Sequence, residues 1–164
     1  MDMFKSVVIL LVEDDPGDQK LIKKSLSNEK IINELYVASS GEEALEYLHK
    51  SKTGNEDTPI PDLILLDLNM PGMGGKEFLR LIKADNELCA IPTVILTTSD
   101  ADRDILESYK LQAAGYIKKS VSLDEFKAVM HDLSEYWFVI CKRVSHSSAV
   151  ENKSNRCFVS GRNE

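Results

Sequence analysis

Short apolar runs alternate along the chain with segments whose apolar positions recur every three or four residues. Val7-Val8-Ile9-Leu10-Leu11-Val12 is a continuous β-favouring run, and Leu63-Ile64-Leu65-Leu66 and Thr93-Val94-Ile95-Leu96 are two more. Leu35-Tyr36-Val37 and Gly115-Tyr116-Ile117 are shorter candidates. Strands apolar at both parities belong in a parallel sheet covered by helices on both sides.

Helical patterns fill the gaps. The first starts at Asp15-Pro16, an N-cap followed by proline at the first helical position, and carries Leu21, Ile22 and Leu26 with Lys20, Lys23 and Lys24 on the wet side. The second follows Ser40-Gly41 through Ala44, Leu45 and Leu48. The third carries Phe78, Leu79 and Ile82, and the fourth runs from Ala101 through Ile105, Leu106 and Tyr109. The fifth opens at Ser122 with Glu125 three residues on, a capping box, and places Phe126, Met130, Leu133, Trp137 and Ile140 in one stripe suited to core packing. Five β-α pairs predict an α/β fold with a five-stranded, doubly wound parallel sheet. Residues 50–62 form a polar loop with Gly54, Pro59 and Pro61, and from Ser145 the chain turns polar and loses its period. The expected organisation is one domain over 1–144 and a tail without a core over 145–164.

Composition narrows the class. Of the 164 residues, 43% are hydrophobic and 29% charged, the balance of a globular protein. Val7–Val12, six residues, is as long as any apolar run, against the roughly 20 that a membrane span needs. The N-terminus lacks the basic-then-apolar order of a secretory signal. A net charge of −7 argues against nucleic-acid binding through bulk charge. Cys89, Cys141 and Cys157 are widely spaced, so neither a disulfide framework nor a zinc site is expected, and a cytoplasmic location is.

The chemistry gathers where the strands end. Ligands of open α/β sheets bind at the carboxyl ends of the strands. Strand one ends in Glu13-Asp14-Asp15, strand three in Asp67, strand four in Thr97-Thr98 and strand five in Lys118-Lys119. Crowded carboxylates call for a hard divalent cation, and magnesium suits a few anionic oxygens shared with a phosphate. An aspartate can carry a phosphoryl group as an acyl phosphate, and an amine and a hydroxyl can hold its oxygens. Asp15, just before Pro16, is better explained as a helix cap.

At these residues the sequence resembles the receiver domain of bacterial response regulators, the CheY-like superfamily, over about residues 6–141. The family's acidic pair matches Glu13 and Asp14 in Val12-Glu13-Asp14-Asp15-Pro16. Its phosphoacceptor motif opens D-x-x-M-P, which matches Asp67-Leu68-Asn69-Met70-Pro71, and a glycine and an acid follow it, as in Gly72-Met73-Gly74-Gly75-Lys76-Glu77. The resemblance implies that Asp67 is the phosphoacceptor and that Glu13, Asp14, Asp67 and the Asn69 backbone carbonyl hold Mg2+. It further implies that Thr97 and Lys119 attend the phosphoryl group and that Thr97 and Tyr116 form the switch. It also supplies the strand order, which periodicity does not. Where the family usually has Lys-Pro with a cis peptide, this chain has Lys119-Ser120, and a cis bond there costs about 2.5–4 kcal/mol. The loop over residues 50–62 is similar to that of phytochrome-associated single-domain regulators.

The function implied is a phosphorelay response regulator. It receives phosphoryl from a sensor histidine kinase or phosphotransfer protein and signals through its own surface, with a homodimer through helices four and five as one outcome. It has no direct nucleic-acid or membrane partner and no enzymatic activity beyond its own phosphorylation and dephosphorylation. Two alternatives are an aspartate-nucleophile phosphohydrolase and a receiver-like module that binds partners without phosphorylation. The phosphohydrolase fits less well, because its nucleophile follows the first strand in a D-x-D motif and Asp67-Leu68-Asn69 lacks the second aspartate.

Other motifs fail on spacing. Met70 stands where a P-loop needs its first glycine, and Glu77 where it needs Ser or Thr. Phe78 occupies the position of the bidentate Glu of an EF-hand begun at Asp67. No G-x-G-x-x-G follows strand one, and His49, His131 and His146 do not cluster at ligand spacing.

Overall fold

The computed structural model describes residues 7–27, 33–97 and 113–118, together with Asp124, Ala128, His131 and Asp132. The order of elements is β1 (Val7–Val12), α1 (Pro16–Ser27), β2 (Asn33–Ala38), α2 (Gly41–Ser51), β3 (Leu63–Asp67), α3 (Gly74–Lys83), β4 (Thr93–Thr97) and β5 (Gly115–Lys118). The strands form one sheet in the order β2-β1-β3-β4-β5, and all four pairings are parallel. The doubly wound α/β fold expected from the alternating runs is thus present. The expected fourth helix lies outside the described residues. Of the expected fifth, Asp124, Ala128, His131 and Asp132 fall on helical backbone.

Side chains of a strand alternate between the two faces of its sheet. Val7, Ile9 and Leu11 of β1 join Leu63 and Leu65 of β3, Val94 and Leu96 of β4, and Ile22 and Leu26 of α1 in one core cluster. Leu10 and Val12 join Ile64, Leu66 and Ile95 with Ala44 and Leu48 of α2 and Phe78, Leu79 and Ile82 of α3 in the other. Every residue of β3 is buried, as befits the middle strand.

The helix starts are set by local chemistry. Asp15 Oδ2 accepts from the Asp18 amide at 2.8 Å and the Asp15 carbonyl from the Gln19 amide at 2.9 Å, so Asp15 caps α1. Ser40 Oγ accepts from the Glu43 amide, while Glu43 Oε1 accepts from the Ser39 amide at 2.7 Å. These bonds close the first turn of α2 on both sides.

The segment before β3 differs slightly from expectation. Lys50 and Ser51 belong to α2, because Ser51 is buried and its hydroxyl donates to the Leu48 carbonyl. The loop beyond them is pinned at several points. Tyr47 Oη donates to the Pro59 carbonyl at 2.8 Å, and the Tyr47 ring lies 5.4 Å from that of Tyr36. Asp62 exchanges two hydrogen bonds with the backbone of Val8. Lys52 Nζ pairs with Asp85 at 2.8 Å and with Glu87 at 3.5 Å.

Cys89, buried in the connection from α3 to β4, is disulfide-bonded. The wide spacing of the three cysteines gave no sign of this bond. Sequence spacing does not encode which thiols approach in space. Cys141 and Cys157 lie outside the described residues. Among the described residues no helix is long and apolar enough to cross a membrane.

Candidate functional site

The ladder between β1 and β3 ends at Val12 opposite Leu66. The next residues on the two chains are Glu13 and Asp67. By strand parity both continue the stripe of Leu11 and Leu65, on the α1 face. Burying two acidic side chains beyond a fully apolar stretch has no packing rationale, yet Glu13 is 0% and Asp67 4% exposed. Asp14, half-buried, completes the group: carboxylate oxygens of Glu13, Asp14 and Asp67 lie within 4.8 Å of one another.

Each member is held by its surroundings. The Glu13 amide extends the β1–β2 ladder by donating to the Ala38 carbonyl at 3.0 Å. Glu13 Oε1 accepts from the Asp15 amide at 3.4 Å, on the chain that turns into α1. Asp67 Oδ1 accepts from the Asn69 amide at 3.1 Å, which fixes the plane of the carboxylate. Leu68 N–H donates to the Leu96 carbonyl at 3.3 Å and ties the exit of β3 to β4.

Three carboxylates this close repel one another, and a cation between them relieves the repulsion. All the donors are hard oxygens, suited to a divalent cation such as Mg2+ or Mn2+ and unsuited to a soft metal. The residues present therefore fit a small oxygen-bound dication.

The remaining expected residues fall into place by register. Leu96 of β4 stands opposite Asp67, so Thr97 occupies the next rung, paired with Lys118 of β5. Tyr116 pairs with Ile95. The side chains of Thr97, Tyr116 and Lys118, and the whole of Lys119 and Ser120 with the peptide between them, lie outside the described residues. Asn69 is exposed beside Asp67. Asp15 caps α1, as its position before Pro16 indicated.

Two residues not singled out from sequence also shape the site. Gln19 Nε2 donates to the Glu13 carbonyl at 2.5 Å and to Ser39 Oγ at 3.2 Å. Gly75, in the first turn of α3, presses on the phosphoacceptor candidate's own backbone: a Cβ there would lie 2.6 Å from Leu68 Cα. The run Gly72–Gly75 signals a turn opening a helix, and Gly72 and Gly74 do adopt φ of 76° and 79°. The close approach at Gly75 leaves no such local mark.

Residues 9–131 match the response regulator receiver domain family. The chain belongs to that family. Response regulator Rcp1 of Synechocystis sp. is 38% identical over 130 residues, covering 79% of this chain and 88% of Rcp1. The probable methanogenesis regulatory protein FilR2 of Methanothrix harundinacea is 34% identical, covering 79% and 83%. Among solved structures, the Mn(2+)-bound form of Rcp1 matches with a TM-score of 0.72 at 37% identity, over 80% of this chain and 94% of that one. The phosphorylated cyanobacterial phytochrome response regulator RcpA matches with a TM-score of 0.73 at 39% identity, over 81% and 94%. The resemblance read from Glu13-Asp14 and from the motif begun at Asp67 thus identifies the family correctly. As a receiver domain the chain serves two-component phosphorelay, and its acidic cluster is suited to a divalent metal.

Proposed function

We propose that this receiver takes a phosphoryl group from a histidine kinase, or from a phosphotransfer protein, onto Asp67. The observation that carries the reading is the convergence of Glu13, Asp14 and Asp67 at the carboxyl end of the sheet. The phosphorylated form of RcpA and the Mn2+-bound form of Rcp1 support it.

In the proposed step an Asp67 carboxylate oxygen forms a bond to phosphorus as the bond from phosphorus to the donor histidine nitrogen breaks. The electron pair leaves on the imidazole nitrogen, which takes a proton. Asp67 becomes an acyl phosphate, later hydrolysed by water. Glu13, Asp14, Asp67 and the Asn69 carbonyl would hold Mg2+, which would supply neutralisation of charge on the phosphoryl oxygens. The Asn69 amide holds Asp67 Oδ1 and thereby the orientation of the nucleophile. The Thr97 hydroxyl and the Lys119 ammonium hold phosphoryl oxygens.

The switch assigned to Thr97 and Tyr116 acts through the new charge. Thr97 moves toward the phosphoryl group and Tyr116 turns into the space it leaves. About 1–3 kcal/mol of differential contact suffices to shift such an equilibrium usefully. The surface of the fourth and fifth helices then selects a target or a second copy of the chain. Residues 1–144 act as the receiver and 145–164 as a tail, with no turnover beyond the protein's own phosphoryl chemistry.

Incubation with acetyl phosphate and Mg2+, followed by intact-mass measurement and a phosphate-release assay on a generic phosphoester, tests this reading. A receiver is labelled once per chain and releases phosphate slowly. Sustained turnover of the phosphoester would contradict it. For the switch, NMR shifts with and without a beryllofluoride mimic should move at Thr97, Tyr116 and residues 101–109, where the sequence predicts the fourth helix. Unchanged shifts there would refute the switch alone.

A further inference from the structure

We propose that Gln19 is a positioning residue for the cation site, holding the end of β1 that carries Glu13. The inference rests on the reading of Glu13, Asp14 and Asp67 as a divalent-cation site.

The β1–β2 ladder runs one step past Val12, where the Glu13 amide donates to Ala38. Strand β2 ends at Ala38, and the chain turns through Ser39 into the cap of α2. Regular strand pairing therefore stops at the residue whose side chain joins the carboxylate cluster. Gln19, in the first turns of α1, supplies a donor for the Glu13 carbonyl. Its amide nitrogen carries two hydrogens, and it also donates to Ser39 Oγ. Ser39 is itself fixed, because its amide donates to Glu43 Oε1.

The result is a continuous bridge from Glu43 through Ser39 and Gln19 to Glu13. It joins the start of α2 to the end of β1, and its middle link ties Gln19 to Ser39, 20 residues apart in sequence. With the amide of Glu13 held by β2 and the carbonyl by Gln19, the peptide planes on both sides of its Cα are set. The direction of its fully buried side chain follows from them. Groups one step behind a metal ligand are worth about 10–100-fold in affinity when they orient it.

Mn2+ binding to the full chain, followed by electron paramagnetic resonance at neutral pH, tests the inference. Urea unfolding without metal runs in parallel, so that affinities are compared only for folded protein. Gln19→Met keeps the length and loses the donor. Gln19→Glu keeps the shape but puts an acceptor against the Glu13 carbonyl, while its added negative charge on its own would tighten cation binding. Both variants are expected to bind Mn2+ about tenfold more weakly than wild type. Wild-type or tighter affinity in either would overturn the positioning role. Should either variant lack a cooperative unfolding transition, Ser39→Ala decides: it removes one anchor of Gln19, with a smaller loss of affinity expected and an unchanged affinity overturning the proposal. Failure of the wild type to bind Mn2+ would instead refute the cation site itself, and Gln19's role with it.

Discussion

Glu13 and Asp67 face each other one rung beyond Val12 and Leu66, the last paired residues of β1 and β3. Both lie on the face that the apolar side chains of α1 cover further down the sheet. The same alternation that buries Leu11 and Leu65 therefore delivers two carboxylates to one point, with Asp14 beside them. The site is a property of strand register, and its chemistry begins where the apolar run stops.

A cation bound there should stabilise the fold in proportion to its occupancy. Mg2+ at one hundred times its dissociation constant is expected to add about 2.7 kcal/mol to the free energy of unfolding. Glu13→Gln/Asp14→Asn, which keeps the shapes and removes both charges, should abolish the response. Urea midpoints with and without Mg2+ measure it, and an equal shift in the double variant would move the cation elsewhere.

Gly75→Ala should weaken both the fold and the site. The new Cβ would meet the Leu68 backbone at 2.6 Å, where no flexible side chain can give way. Overpacking of this kind costs about 1–3 kcal/mol and outweighs the gain of about 1 kcal/mol that alanine brings to a helix. Phosphoryl uptake should fall with it, since the displaced backbone carries Asp67. Gly115→Ala is the control, because a Cβ there meets nothing within 4 Å. Equal stability of the two variants would contradict the close approach.

Much of this arrangement is legible along the chain because it is local. Asp15 before Pro16, Ser40 before Gly41 and the parity of the apolar runs each announce themselves within a few residues. Asp67 stands out as a charge ending an apolar run. Gln19 carries no such mark, because a glutamine in a helix facing Ser39 looks like one facing water until the strands are assembled. The same holds for Lys52 and Asp85, which meet across 33 residues, and for the disulfide at Cys89. Distance along the chain, rather than residue type, separates the visible contacts from the hidden ones.

The Lys52–Asp85 pair gives stability a pH signature. Burial pushes the Asp85 carboxyl up, but hydrogen bonds from Lys52 and from the Glu87 and Leu88 amides outweigh it and leave it below the usual carboxylate range. A carboxyl depressed in the folded state stabilises above its unfolded pKa, and that contribution is lost as pH falls through the folded value. Lys52→Met is therefore expected to lower stability at neutral pH. The difference should vanish once Asp85 is protonated in both proteins. Unfolding midpoints from neutral pH to below the ordinary carboxylate range check the sign, and a gap that widened on acidification would contradict it.

Phosphorylation of one named aspartate underlies the whole functional reading. Wild type and Asp67→Asn, each incubated with acetyl phosphate and Mg2+, can be compared by intact mass and by trapping the acyl phosphate before peptide mapping. The expected result is a single phosphoryl group on wild type, mapped to the peptide holding Asp67, absent without Mg2+ and absent from Asp67→Asn. Undiminished labelling of Asp67→Asn, or a phosphoryl group mapped to another residue of the wild type, would contradict it.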